Sequence, residues 1–191
     1  MTSDTQPDAY PDYASACAEL ARGGVVAYPT EAVFGLGCDP ANPAAVERVL
    51  ALKGRASAKG LILIAAERAQ LAPWLGPFDA AVEARLTHTW PGPVTWLLPA
   101  APDCPPHVRG EHDTVAARVT AHPVAAALCR HWGGALISTS ANRAGGEPAR
   151  SAGEVEALFG TEVDFIVGGA TGGAARPTPI RDARTGATIR A

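Results

Sequence analysis

Leu61-Ile62-Leu63-Ile64 is an unbroken apolar run of strand length, with no polar residue to turn toward water from either side. A strand of this kind suits a sheet covered on both faces, which calls for helices above and below it. The flanking segments supply them. Tyr13 to Arg22 carries apolar residues at helical spacing (Ala14, Cys17, Ala18, Ala21), and Gly23-Gly24 stops that helix ahead of a strand at Val25-Val26-Ala27-Tyr28. Asn42-Pro43 offers an N-cap and a first-turn proline for a helix that buries Val46, Val49, Leu50 and Leu52 and ends near Lys53. Asp79 to Thr89 gives another helix, broken by Trp90-Pro91-Gly92-Pro93 before a strand over Val94 to Leu98.

Pro99 to Asp113 is rich in Pro, His and charge, so a long surface loop is expected there, and it is the leading candidate for a mobile lid. Beyond it come a strand at Val115 to Val119, a helix over Pro123 to Trp132, and a strand Ala135-Leu136-Ile137 that runs straight into Ser138. Ser151-Ala152-Gly153-Glu154 has capping-box spacing for a helix to Phe159. Two short final strands are expected around Phe165-Ile166-Val167 and Ile180-Arg181-Asp182. Strands alternating with helices predict an α/β fold with a mixed sheet. No repeat or long linker divides the chain, so residues 1–191 are expected to form a single domain.

With 191 residues and 47% hydrophobic content, one domain can bury a substantial core. The net charge of -3 argues against a surface built wholly as a glove for nucleic acid, while a local basic cleft stays compatible with it. No apolar run approaches bilayer-spanning length, and Met1-Thr2-Ser3-Asp4-Thr5-Gln6 lacks the basic-then-apolar order of a secretory signal. A cytoplasmic protein is the expectation. Cys17, Cys38, Cys104 and Cys129 are scattered, without metal-ligand spacing among themselves or with the five histidines, so no metal held by protein ligands is expected.

Two stretches point to chemistry. Lys53, Arg55 and Lys59 fall within seven residues between a helix and a strand, where they could converge on phosphate. Cations near a helix carboxyl end also have an ordinary role in complementing its dipole. Ser138-Thr139-Ser140-Ala141-Asn142 emerges from the carboxyl end of a buried strand, the place where open α/β sheets bind ligands. Its hydroxyls and N–H groups suit phosphate or ribose oxygens, or they could form an Asn/Ser turn that satisfies its own backbone. Thr30 follows another strand and could bond a small ligand, or belong to a simple proline turn. Arg118 lies in the apolar stretch Val115-Ala116-Ala117-Arg118-Val119; buried it would demand an anion, and facing outward it would be unremarkable. Lys59-Gly60 is not the Gly-Lys-Ser/Thr order of a Walker loop, and Ser138 and Ser140 lie in no G-x-S-x-G elbow.

In combination these segments resemble the TsaC/YrdC family of threonylcarbamoyl-AMP synthases. The resemblance runs from about Gly24 to Arg190 through Tyr28-Pro29-Thr30-Glu31, Leu52-Lys53-Gly54-Arg55, Lys59-Gly60-Leu61, Trp90-Pro91-Gly92-Pro93-Val94-Thr95, Ala117-Arg118-Val119, Ser138-Thr139-Ser140-Ala141-Asn142 and Ile180-Arg181-Asp182. It implies a single twisted mixed sheet flanked by helices, with a concave basic cleft. It also implies synthesis of L-threonylcarbamoyladenylate and pyrophosphate from L-threonine, bicarbonate and ATP. A partner transferase would then use the product to modify tRNA. On this resemblance Lys53 and Arg55 are the expected catalytic residues. Lys53, Arg55, Lys59, Ser138, Ser140 and Asn142 hold nucleotide and phosphates, with Mg²⁺ carried on phosphate oxygens. Thr30 and Arg118 place threonine, Arg118 facing its carboxylate.

The chain resembles the short form of the family, and Pro177-Thr178-Pro179-Ile180 stands where many relatives have a Pro-Ser-Thr run. The second proline removes an N–H and a hydroxyl from any nucleotide contact there. The alternative function is an RNA-binding module that takes double-stranded RNA or tRNA in the same cleft; the low aromatic content of 6% and the acidic total charge speak against it. The related carbamoyl-adenylating domain of hydrogenase maturation proteins belongs to longer chains with acylphosphatase and zinc-binding regions.

Overall fold

The structure is a computed structural model that describes residues 11–190; the Met1 to Gln6 stretch lies outside the described residues. Nine strands form one mixed sheet in the order β7-β1-β2-β6-β3-β5-β4-β8-β9. They are β1 (Val26–Pro29), β2 (Phe34–Gly37), β3 (Ile62–Ala65), β4 (Thr95–Pro99), β5 (Thr114–Val119), β6 (Leu136–Ser140), β7 (Phe165–Ile166), β8 (Ile180–Asp182) and β9 (Thr188–Arg190). The pairs β1–β7, β3–β5 and β4–β8 are parallel and the rest antiparallel. The helices are α1 (Tyr13–Ala21), α2 (Pro43–Lys53), α3 (Ala80–Thr89), α4 (Pro106–Arg109), α5 (Pro123–Trp132) and α6 (Ala152–Phe159).

Period-two alternation along the strands divides the side chains between two faces. Ala27, Phe34, Leu36, Leu63, Trp96, Leu98, Val115, Ala117 and Ile137 join the larger core with Val46 and Val49 of α2, Val82 and Leu86 of α3, and Val155 and Phe159 of α6. On the opposite face Val26, Tyr28, Ile64 and Leu136 pack with Ala16 and Leu20 of α1 and with Ala125, Leu128 and Cys129 of α5. That second cover is partial. Gly35, Ile62, Leu97, Thr114, Ala116, Ser138, Ser140 and Ile180 belong to the same face and instead line a cavity.

The helices form where their caps predict. Asn42 Oδ1 accepts from Ala45 N at 3.2 Å, Asp79 Oδ1 from Val82 N at 2.9 Å, and Ser151 Oγ from Glu154 N at 3.2 Å. Gly54 closes α2 in the left-handed region at φ 59°, where a side chain would be strained.

The segment Pro99 to Asp113 is not loop throughout. It contains α4, with Val108 and Cys104 buried in the larger core. Leu61 N donates to Val108 O at 2.9 Å, Glu111 N to Ala58 O at 3.1 Å, and Ala100 N to Asp113 O at 3.0 Å. Pro102, Asp103, Pro106, Glu111 and Asp113 of this segment are exposed, while Cys104 and Val108 point inward. No helix among the described residues is long and apolar enough to cross a membrane.

Candidate active site

The uncovered part of the sheet floors a cavity of about 390 Å³. Thr30, Lys53, Arg55, Lys59, Arg118, Ser138 and Ser140 all line it, although more than a hundred residues separate the first from the last. Each arrives by a different route. Thr30 follows β1 and is buried, its hydroxyl donating to Val33 O at 2.7 Å. Ser138 and Ser140 are alternate residues of β6, so both hydroxyls leave the same face. Arg118 comes from β5, and Lys53 from the last turn of α2.

Lys53 is 6% exposed, and its ammonium is seated on the turn after β6. Nζ donates to Ser140 O at 2.6 Å, Asn142 Oδ1 at 2.6 Å and Ser140 Oγ at 3.2 Å. Ser140 Oγ in turn donates to Asn142 Oδ1 at 2.7 Å. Burial first, and then the neighbouring charge of Arg55, pulls the Lys53 amine down to about 8. Asn142 itself is not in the cavity lining; it touches the site through Lys53. Arg55 Nη2 donates to Gly60 O at 2.9 Å while its buried Nε makes no hydrogen bond. Lys59 is exposed on the cavity wall.

Arg118, open at the sequence level between a buried and an outward position, is buried at 5% exposure. Nη1 donates to Thr178 Oγ1 at 2.6 Å and Thr95 Oγ1 at 3.2 Å, and Nη2 lies 3.5 Å from Glu31 Oε2. Among the described residues the lining includes six cations, Lys53, Arg55, Lys59, Arg109, Arg118 and Arg190, and no Asp or Glu. Burial and then the charge of Arg190 pull Arg55 down; burial and then Arg118 do the same to Arg190. Like charges crowded into one hollow are stabilised when an anion enters it.

Arg109, Arg190, Thr114 and Thr178 were not singled out as ligand-facing by the sequence. Arg190 reaches the cavity through β9, which pairs Ile180 with Arg190. Thr178 lies between Pro177 and Pro179, and its hydroxyl is the nearest partner of Arg118. No group of three or more His, Cys, Asp or Glu among the described residues could hold a metal ion. The residues present therefore do not fit a magnesium ion bound by side chains.

A family model for Sua5, YciO and YrdC proteins, described as "Telomere recombination", matches residues 18–191. The chain is similar to the threonylcarbamoyl-AMP synthase of Halorhodospira halophila, with 61% identity over 92% of each chain. It is similar to the enzyme of that name from Nitrosococcus oceani, with 60% identity over 88% of this chain and 91% of the other. Among solved structures, P. abyssi Sua5 complexed with L-threonine superposes with a TM-score of 0.82 at 31% identity, covering 87% of this chain and 49% of that one.

Proposed function

The chain belongs to the Sua5/YciO/YrdC family, and on that premise we propose that it is a threonylcarbamoyl-AMP synthase. It joins L-threonine, bicarbonate and ATP into L-threonylcarbamoyladenylate and releases pyrophosphate, as a cytoplasmic nucleotidyltransferase. The observation that carries this reading is that Lys53, Arg55, Lys59, Arg118, Ser138 and Ser140 line one cavity whose lining, among the described residues, has no carboxylate.

The reaction needs two anions brought together against their repulsion. The threonine amine takes up bicarbonate with loss of water to form a carbamate. A carbamate oxygen attacks the α-phosphorus of ATP, and the bond to the bridging oxygen breaks as pyrophosphate leaves. This chemistry asks the protein chiefly for alignment and for fixed positive charge where negative charge gathers. Lys53 and Arg55 hold the reacting phosphates and Lys59 the outer ones. Ser138 and Ser140 bond phosphate or ribose oxygens, and Asn142 holds Lys53 in place. Thr30 and Arg118 set the amino acid, Arg118 meeting its carboxylate. Mg²⁺ enters this reading only as a companion of ATP, carried on phosphate oxygens and water. The adenylate is then consumed by a transferase that modifies tRNA.

The RNA-binding alternative draws little from this cavity: among the described residues its lining includes no Trp or Tyr, and the Phe34 ring is buried in the larger core on the other face of the sheet, so stacking platforms for unpaired bases are scarce. Pyrophosphate release from ATP should require both threonine and bicarbonate. Lys53→Ala and Arg118→Ala should each lower it by roughly a hundredfold or more, the scale of losing one fixed charge at a reacting centre, with the fold intact by circular dichroism. Release that persists unchanged without threonine counts against the assignment.

A further inference from the structure

Glu31 stands in the stretch Tyr28-Pro29-Thr30-Glu31 and has no part in the proposed reaction so far. Its side chain is 12% exposed and is not part of the cavity lining. Oε1 accepts from Thr120 Oγ1 at 2.6 Å, and Oε2 lies 3.5 Å from Arg118 Nη2 without completing a hydrogen bond. Arg118 Nε is likewise buried without a hydrogen-bond partner. The guanidinium is thus gripped at Nη1 by two neutral hydroxyls and faced at Nη2 by a carboxylate just beyond bonding distance.

A buried guanidinium held by neutral groups alone carries a large desolvation cost, and a nearby carboxylate offsets it. A tight bidentate pair would also use up the donors that a substrate anion needs. At 3.5 Å, Glu31 compensates the charge while leaving those donors spare. We propose that Glu31 is a positioning residue for the amino acid: anchored by Thr120, it holds the Arg118 guanidinium oriented toward the carboxylate of threonine. The inference rests on the assignment of Arg118 to that carboxylate.

The turn does not depend on the Glu31 carboxylate. Thr30 Oγ1 donates to Val33 O at 2.7 Å, and Gly172 N and Ala174 N donate to Thr30 O and Glu31 O, each at 2.9 Å. Glu31→Gln keeps those bonds and an amide oxygen to accept from Thr120, and removes only the charge. A residue that merely pinned the turn would therefore tolerate glutamine. A residue that orients Arg118 electrostatically would not.

The test is threonine binding to the full chain by calorimetry, together with steady-state KM values for threonine and ATP. Glu31→Gln should weaken threonine in both Kd and KM by roughly tenfold while the KM for ATP stays within about twofold, the pattern of a charge pair serving one ligand. Glu31→Asp, which restores the charge, should recover part of that loss. Unchanged or tighter threonine binding in Glu31→Gln, or an equal loss for both substrates, overturns the proposal. Arg118→Ala serves as the reference. If it binds threonine as the wild type does, or if the wild type binds none, the assignment of Arg118 itself fails and the role of Glu31 goes with it.

Discussion

On the proposed role, Lys53 is an amine that must stay charged in a place that disfavours charge. Burial, followed by the charge of Arg55, lowers its pKa from 10.5 to about 8. The ammonium is the form that can hold phosphate, so its population falls as pH rises through about 8. The value of kcat/KM for ATP should therefore decline along a one-proton limb above about pH 8. Lys53→Arg should lack that limb whatever its absolute rate, because a guanidinium stays protonated there. A wild-type profile flat to pH 10 would contradict the assignment. Stability runs in the opposite sense. The folded chain binds this proton less tightly than the unfolded chain, so the cost is fully present below about pH 8 and is relieved as pH rises toward 10.5. Much of this was legible in the sequence as residue types: three cations in seven residues, and three hydroxyls with an amide after a strand. That Lys53 would rest on Ser140 and Asn142 was not legible, since 87 and 89 residues separate the partners.

At the scale of elements, caps and periodicity placed five helices, because each such signal is local, although α1 buries Ala16 and Leu20 while Ala14, Ala18 and Ala21 of the expected stripe are exposed. The omissions have a common cause. β2, Phe34-Gly35-Leu36-Gly37, is half glycine and gives almost no strand signal. Yet a Cβ at Gly37 would fall 2.5 Å from Ile137 O, so the close approach of β2 to β6 requires the glycine. α4 lies inside a proline-rich stretch, and the three-residue β9 is recognisable only by the strand it joins. The caps also separate stability from function. Asn42→Ala removes the cap of α2 at the end far from Lys53. It should cost about 1 kcal/mol, or a fall in Tm of roughly 2–4 °C for a chain of this size. The rate of pyrophosphate release from the folded enzyme should not change. A lowered rate at unchanged Tm would show that the start of α2 communicates with the site.

Across the whole molecule, the site follows from unequal coverage of the sheet. One face is sealed by α2, α3 and α6, and the other only where α1 and α5 reach Val26, Tyr28, Ile64 and Leu136. Residues on the uncovered part of that face combine small or apolar side chains with hydroxyls and Arg118. The alternation predicted a two-sided sheet but not where its cover would stop, because that depends on strand order rather than on any strand's own residues. Among the described residues the cavity lining gathers six cations without a carboxylate, an arrangement that on the proposed function receives a triphosphate and two further anions. Incubation with ATP, Mg²⁺, threonine and labelled bicarbonate, followed by separation of the nucleotides, tests this most directly. Label should enter an adenylate only when threonine is present, in step with pyrophosphate released. An adenylate without label, or pyrophosphate release indifferent to threonine, would contradict it.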